Sequence, residues 1–387
     1  MPILREVLMQ FQDSLETWNN SKSSSPKKIC PLCQQRHRVF VLTLFLLFPA
    51  FAFCNSTDYA ARASNFDGKI FHNEHDFILQ MKDIHKDIPP EVYSDKETVP
   101  ESKLPLKTPD FTGNTTDGEL FFTWFGHSSL LIQMGGKNIL FDPVFSNRSS
   151  PVQFAGPKRF TPPPCSIADL PEIDILIISH DHYDHLDKKT IKKLDSKVKK
   201  YVCPLGVERR LKKFGVDTDK ITNMAWWEEI QLEGIDVACT PARHFSGRTL
   251  SDRFETLWAS WVLSDGKYRI FESGDSGWDD HFQRIGAKYG SFDLVFIEAG
   301  QYDTRWPSVH MKPEESFEAV KAVEAKHAVP IHWGTFVLSR HPWDDSVQRM
   351  VKAADGSGIK IITPYIGETV PFSQIQDYQN RWYQPIR

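Results

Sequence analysis

Residues Ile173 to Ser179 are a nearly uninterrupted apolar run that delivers the chain straight into His180-Asp181-His182-Tyr183-Asp184-His185. An apolar run of this length reads as a strand buried on both faces. The hexapeptide puts three imidazoles and a carboxylate at His180-x-His182-x-Asp184-His185, and neutral imidazole nitrogen and carboxylate oxygen are zinc ligands. A loop at a strand end lets His180 and His182 point to one side. Asp184 and His185, one short turn later, reach toward a second ion. The chain holds 14 histidines, and their clustering beside aspartate at ligand spacing argues against a loop that is histidine-rich by chance.

Two ions need more donors, and candidates stand directly after other apolar runs. His244 follows Ile235–Thr240, Asp275 follows Tyr268–Glu272 within Ser-Gly-Asp-Ser-Gly, and His332 follows Ala328–Ile331. Taken singly, each would more often pack or cap; beside the hexapeptide they read as ligands. Further strand-like runs fall at Leu120–Phe125, Leu130–Gln133, Asn138–Phe141, Lys200–Cys203, Leu257–Leu263, Leu294–Glu298 and Ile359–Ile362. Gly135-Gly136 marks a hairpin between two of them. Helix-like runs fall at Lys188–Lys193, Val207–Phe214, Asp279–Tyr289, Pro313–Ala325 and Asp344–Ala354. Many strands interleaved with fewer helices fit two sheets covered by helices on the outside, an α/β architecture.

These features, with Trp-Phe-Gly-His-Ser-Ser (124–129), Gly-Pro-Lys-Arg-Phe (156–160), Trp-Trp-Glu-Glu (226–229) and Ile-His-Trp-Gly-Thr-Phe (331–336), resemble the N-acyl-phosphatidylethanolamine-hydrolysing phospholipase D branch of the metallo-β-lactamase superfamily. The resemblance runs over about residues 119 to 345. It implies the metallo-β-lactamase fold, a four-layer αββα sandwich. It also implies two zinc ions, with iron or manganese as alternatives: His180, His182 and His244 for one, Asp184, His185 and His332 for the other, and Asp275 between them. Catalytic roles would fall to Asp184, Asp275 and His310, substrate contacts to Gln301 and Tyr302, and ligand orientation to His127 and Asp142. The implied reaction is hydrolysis of a phospholipid phosphodiester by a hydroxide held between the metals, releasing phosphatidic acid and an N-acylethanolamine. A lactonase or a soluble phosphodiesterase could use the same centre, because function lies in the surrounding groove. A scaffold with a relic site would have lost a ligand, and none is lost.

Lysines and arginines crowd residues 188 to 213, among them Lys192, Lys193 and Lys197. The plain reading is a solvated helical face, the sharper one a contact for anionic headgroups at a membrane surface. The formal net charge of -4 supplies no global basic field for nucleic acid. A homodimer is compatible with all of this.

Residues 39 to 53 carry no charge, follow Arg36 and Arg38, and end in Ala50-Phe51-Ala52. They read as a signal peptide at 36–54 that exports the chain to a periplasmic, secreted or lumenal site, with an uncleaved anchor or a lipoprotein at Cys54 as alternatives. Residues 1–35 form a polar extension, 55–118 a Pro-, Asn- and Asp-rich linker expected to be extended or looped, 119–370 the catalytic domain and 371–387 a C-terminal tail. Cys30 and Cys33 form a lone C-x-x-C, too little for a structural zinc site. Cys203 and Cys239 lie in apolar runs and are expected to be buried thiols.

Overall fold

The computed structural model describes residues 56–75, 97–113 and 118–386. The signal-like segment 36–54, the extension 1–35 and Cys30, Cys33 and Cys54 lie outside the described residues. The chain divides into two compact units, Met1–Asp58 and Tyr59–Arg387, and the second contains both sheets.

The apolar runs become strands: β1 (Phe121–Trp124), β2 (Leu130–Met134), β3 (Lys137–Phe141), β4 (Ile173–Ile177), β5 (Val198–Pro204), β6 (Ile221–Met224) and β14 (Thr369–Pro371) build one sheet, in the order β14-β1-β2-β3-β4-β5-β6. The other, in the order β13-β12-β11-β10-β9-β8-β7, comprises β7 (Glu229–Leu232), β8 (Ile235–Thr240), β9 (Ser260–Ser264), β10 (Arg269–Glu272), β11 (Leu294–Glu298), β12 (His327–Ile331) and β13 (Lys360–Ile361). Gly135 and Gly136 turn β2 into β3 with φ of 57° and 75°, a double left-handed turn that glycine makes without steric cost.

Side chains alternate between two cores. In β4, Ile175 and Ile177 enter the core between the sheets, whereas Leu176 and, just past the strand, Ile178 enter the outer core with Leu194 and Leu211. That outer core is covered by α2 (Lys188–Leu194) and α3 (Glu208–Phe214). The outer face of the second sheet packs Phe271, Val295 and Ile297 against Phe282 of α4 (His281–Tyr289), Val320 of α5 (Pro313–Ala322) and Met350 of α6 (Asp345–Ala353). Helices, sheet, sheet, helices: this is the expected four-layer αββα sandwich. Pro313 opens α5, where its missing N–H costs nothing. Cys203 and Cys239 are fully buried, and burial pushes both thiols well above their ordinary range.

The sequence expectation lacks β6, β7 and β14, and all three stand at sheet edges. An edge strand has one neighbour and a wetter face, so its apolar signature is weak; β7 alternates exposed and half-buried residues throughout. The linker also departs from expectation in forming α1 (Ser56–Arg62). Seven residues do not hold a helix by propensity. Tyr59 and, just past the helix, Ala63 are buried with Leu205 and Trp258, and Arg62 grips Glu228 with Nε–Oε1 and Nη2–Oε2 distances of 2.9 and 2.6 Å. At the other end of the chain, Trp382 and Tyr383 sit in the core between the sheets, with Trp382 stacked on Trp333 at 5.7 Å. Burying one such ring contributes about 2–3 kcal/mol. No helix among the described residues is long and apolar enough to cross a membrane.

Candidate metal centre

β2 runs antiparallel to both β1 and β3, and β3 and β4 are parallel, so β1, β3 and β4 share a direction. In the second sheet β9 runs antiparallel to both β8 and β10, and β10, β11 and β12 are parallel, so β8, β10, β11 and β12 share theirs. The ends of these strands carry His127, Asp142, His180 and, from the second sheet, His244, Asp275, Glu298 and His332. Clustering at carboxyl ends of strands is the usual placement for sites in α/β sheets.

The structure brings all seven expected ligands together. Donor atoms of His180, His182, His244 and Asp275 lie within 4.8 Å of one another, as do those of Asp184, His185 and His332 with His127. Asp275 Oδ2 stands between the sets, 3.1 and 3.2 Å from the Nε2 atoms of His185 and His332 and 3.8 Å from those of His180 and His244.

His244, His180 and His185 each have Nδ1 engaged and Nε2 turned toward the other donors. His244 Nδ1 donates to the Val309 carbonyl (2.9 Å), His180 Nδ1 meets Ser179 Oγ (3.0 Å), and His185 Nδ1 donates to Asp142 Oδ2 (2.8 Å). His127 Nε2 donates to Asp184 Oδ2 (2.9 Å). Asp142 and His127 thus each hold a candidate ligand by a hydrogen bond, the geometry of a residue that orients a ligand. Asp142 also accepts from the Ser179 amide at 2.8 Å, tying the end of β3 to the start of the hexapeptide. Asp142→Asn is expected to lower metal affinity and kcat about 10–100-fold with the fold intact. Metal content and turnover, each compared with wild type, test this; unchanged values for both would refute the role.

The donor set fits divalent cations. Asp275 Oδ1 is buried without a hydrogen-bonding partner, and the buried Nε2 atoms of His185 and His332 have only carboxylate oxygens of Asp275 and Asp184 beside them, out of hydrogen-bond alignment, a cost that a cation removes. His180 Nε2 and His182 Nδ1 face each other at 2.8 Å, as two lone pairs aimed at one ion would. Burial pushes His180 and His244 well below the usual imidazole range and His182 down to about 4, so these three are neutral donors at pH 7. Burial also opposes charge on His332, but Asp275 and Asp184 outweigh it and lift this imidazole to about 10. There a proton does the work that a cation would do. His127, His332 and Asp142 adopt φ of 52°, 68° and 39°, strain of the kind concentrated at functional sites. The first two are locked by reciprocal bonds, His332 N to the His127 carbonyl (2.9 Å) and His127 N to the Trp333 carbonyl (3.0 Å).

A family model for β-lactamase superfamily domains matches residues 137–333. The chain belongs to the metallo-β-lactamase superfamily. It is 42% identical over 276 residues to an uncharacterised protein of Mycobacterium bovis, covering 70% of this chain and 73% of that one. It is 33% identical over 346 residues to N-acyl-phosphatidylethanolamine-hydrolyzing phospholipase D 1 of Caenorhabditis elegans, covering 81% of this chain and 95% of the worm protein. The fold is also that of the isothiocyanate hydrolase from Delia radicum gut bacteria, with a TM-score of 0.51 at 20% identity over 65% of this chain and 98% of that one. The protein is therefore a metal-dependent hydrolase of this superfamily, in the branch that contains the worm enzyme.

Gln301 and Tyr302 have a different task from the expected substrate contact. Gln301 spends its whole amide on backbone: Oε1 accepts from Leu338 and Ser339 N (2.9 and 3.1 Å), and Nε2 donates to the carbonyls of His332 and Phe336 (3.4 and 3.2 Å). Tyr302 is buried, stacks on His341 at 4.2 Å and bonds Asp345 of α6. Both brace the loop that carries His332. Gly-Pro-Lys-Arg-Phe does similar work: Arg159 is buried, bonds the carbonyls of Ser146 and Val144 (2.9 and 2.6 Å) and lies over the Phe336 ring.

Sequence reading passed over two further groups. Asp181, inside the hexapeptide, turns away from the site to pair with Arg210 at 3.0 Å and to accept from the Gly247 amide at 2.8 Å. Glu298, the last residue of β11, is fully buried, with His310 Nδ1 3.0 Å from its Oε1. Burial pushes its carboxyl up, against the pull of His310. A charged residue ending an apolar strand was its only signal.

Tyr183, from the hexapeptide, also lines a basin of about 560 Å³, where Lys188, Lys189, Lys192, Lys213 and Arg248 outnumber the carboxylates Asp187 and Asp252. Arg248 lies over the Tyr183 ring at 3.9 Å. The neighbouring loops expose Phe154 (83%) and Leu250 (92%). Lys197, grouped with the basic face on sequence, instead bonds the carbonyls of Ala168 and Leu170.

Proposed function

We propose that this hydrolase is a two-zinc phosphodiesterase that cleaves N-acyl-phosphatidylethanolamine to phosphatidic acid and an N-acylethanolamine at an anionic membrane surface. The observation that carries this reading is Asp275 Oδ2 lying within 3.8 Å of histidine nitrogens from both sets, the arrangement expected of a carboxylate shared by two ions. His180, His182 and His244 would hold one ion, and Asp184, His185 and His332 the other. Bound there, two divalent cations supply charge neutralisation at phosphoryl oxygens and lower the pKa of water toward neutrality. Likeness to the worm enzyme along 81% of the chain supports the substrate.

The chain's own residues account for the remaining chemistry. Hydrolysis adds water to phosphorus and sends a proton to the departing ethanolamine oxygen. His310 stacks on His332 and meets the edge of His244, each at 5.1 Å between ring centres, so it stands over both sets and is the group suited to assist that oxygen. Four lysines around the basin complement lipid phosphates. Phe154 and Leu250, exposed beside them, suit the edge of an acyl layer.

Zinc-loaded protein should release phosphatidic acid from vesicles containing N-acyl-phosphatidylethanolamine. Lys189→Glu, Lys192→Glu and Lys213→Glu combined should lower vesicle turnover by about tenfold or more, since each cation near an anionic surface is worth ~1 kcal/mol. The same variant should hydrolyse a soluble phosphodiester at close to the wild-type rate. Fast lactone hydrolysis with no phosphatidic acid released would overturn the lipid reading.

A further inference from the structure

Among the described residues, Glu298 is the buried carboxylate that reaches both the Asp275 loop and the loop carrying His310. Its Oε2 accepts from the Ser276 amide at 2.7 Å, next to Asp275. Its Oε1 accepts from the Met311 amide at 3.0 Å, next to His310, and also faces His310 Nδ1 at 3.0 Å. Each oxygen accepts a backbone amide and His310 stands against Oε1, contacts that favour the ionised carboxylate over the neutral acid that burial alone would favour. With the carboxylate ionised, the proton of the third contact is on His310 Nδ1. The two loops are pressed together here: a Cβ on Gly277 would stand 2.0 Å from the Ser308 carbonyl oxygen. The His310 loop has little freedom, and its ring is held by the stack on His332 and the bond to Glu298. His310 itself remains partly open, with 13% of its side chain exposed.

We infer that Glu298 is a positioning residue: it fixes His310 in the tautomer with the proton on Nδ1 and thereby turns Nε2 toward the reacting phosphodiester. This rests on the proposed role of His310. A carboxylate that orients a histidine through Nδ1 sets which nitrogen is available for proton transfer. Carboxylates that brace an active histidine in this way act through it, so their loss should register only while the histidine is present.

The test is a double-mutant cycle on full-length, zinc-loaded protein with a soluble phosphodiester, joined to nitrogen NMR of histidine-labelled protein. Glu298→Gln should lower kcat about 10–100-fold, the range for lost orienting partners, with KM and zinc content near wild type. Adding Glu298→Gln to His310→Ala should cost nothing more. In the NMR spectrum, His310 should be protonated on Nδ1 in wild type and lose that single form in Glu298→Gln, a readout that needs no substrate. Losses that multiply in the double variant, zinc content falling in step with activity, or an unchanged His310 tautomer would each overturn the inference. Full activity in His310→Ala alone would instead sink the proposed role of His310, and the tautomer measurement would still show whether Glu298 sets the ring.

Discussion

Asp275→Asn is expected to remove nearly all hydrolysis, a loss of about 4 kcal/mol in transition-state stabilisation or on the order of 10³-fold in kcat. Asp275 Oδ2 is the atom closest to being common to both donor sets, 3.1 Å from His185 and 3.8 Å from His180. The amide keeps the shape but loses the charge that, in the proposed centre, would offset a pair of dications. The residue is buried at the end of β10, and no backbone bond depends on its side chain among the described residues. The folded state should therefore survive. Turnover, zinc per chain and circular dichroism of the purified variant check this. Wild-type turnover would contradict the shared-carboxylate assignment.

Gly300→Ala should damage stability and site together. A Cβ at Gly300 would stand 2.3 Å from the His332 carbonyl oxygen and 3.0 Å from its carbon. Both atoms are backbone, so no side-chain rotation relieves the contact. The strand ends carrying Glu298 and His332 would have to part. Overpacking of this kind costs about 1–3 kcal/mol, and the cost here should fall at the upper end. His332 already sits at φ 68°, and displacing it should reduce zinc binding in parallel. Thermal unfolding with and without added zinc measures both effects; a melting temperature and zinc content equal to wild type would show that the strand ends yield freely.

The seven ligand candidates were legible because each stands at the end of an apolar strand, where residue type and position reinforce one another. The inner strands were legible for the same reason: Ile173, Ile175, Leu176 and Ile177 are all fully buried, so each had to be apolar. Edge strands such as Ile221–Met224 answer to one neighbour and left little trace. Helix Ser56–Arg62 could not be read, because what holds it is Glu228 and Trp258, far along the chain. Gln301 and Tyr302 show the converse difficulty. A polar pair beside the metal ligands looks like a substrate contact, yet Gln301 spends all four of its bonds on backbone. Only the loop geometry of residues 332 to 339 discloses that. Lys197 was misgrouped for the same reason, since a lysine bonding carbonyls and a lysine facing solvent are spelled alike.

The candidate ligands come from strands of both sheets: His180 to His185 from one, and His244, Asp275 and His332 from the other. The site consequently exists on neither half of the sandwich. It is an interface property, created when the two halves close on their shared core. A side chain such as Phe122 or Phe296, which meet across that core at 5.2 Å, is not itself a candidate ligand, yet it helps set the spacing between the halves. Substitutions along this seam can thus silence the enzyme without approaching its chemistry, and turnover doubles as a gauge of how faithfully the two halves are joined.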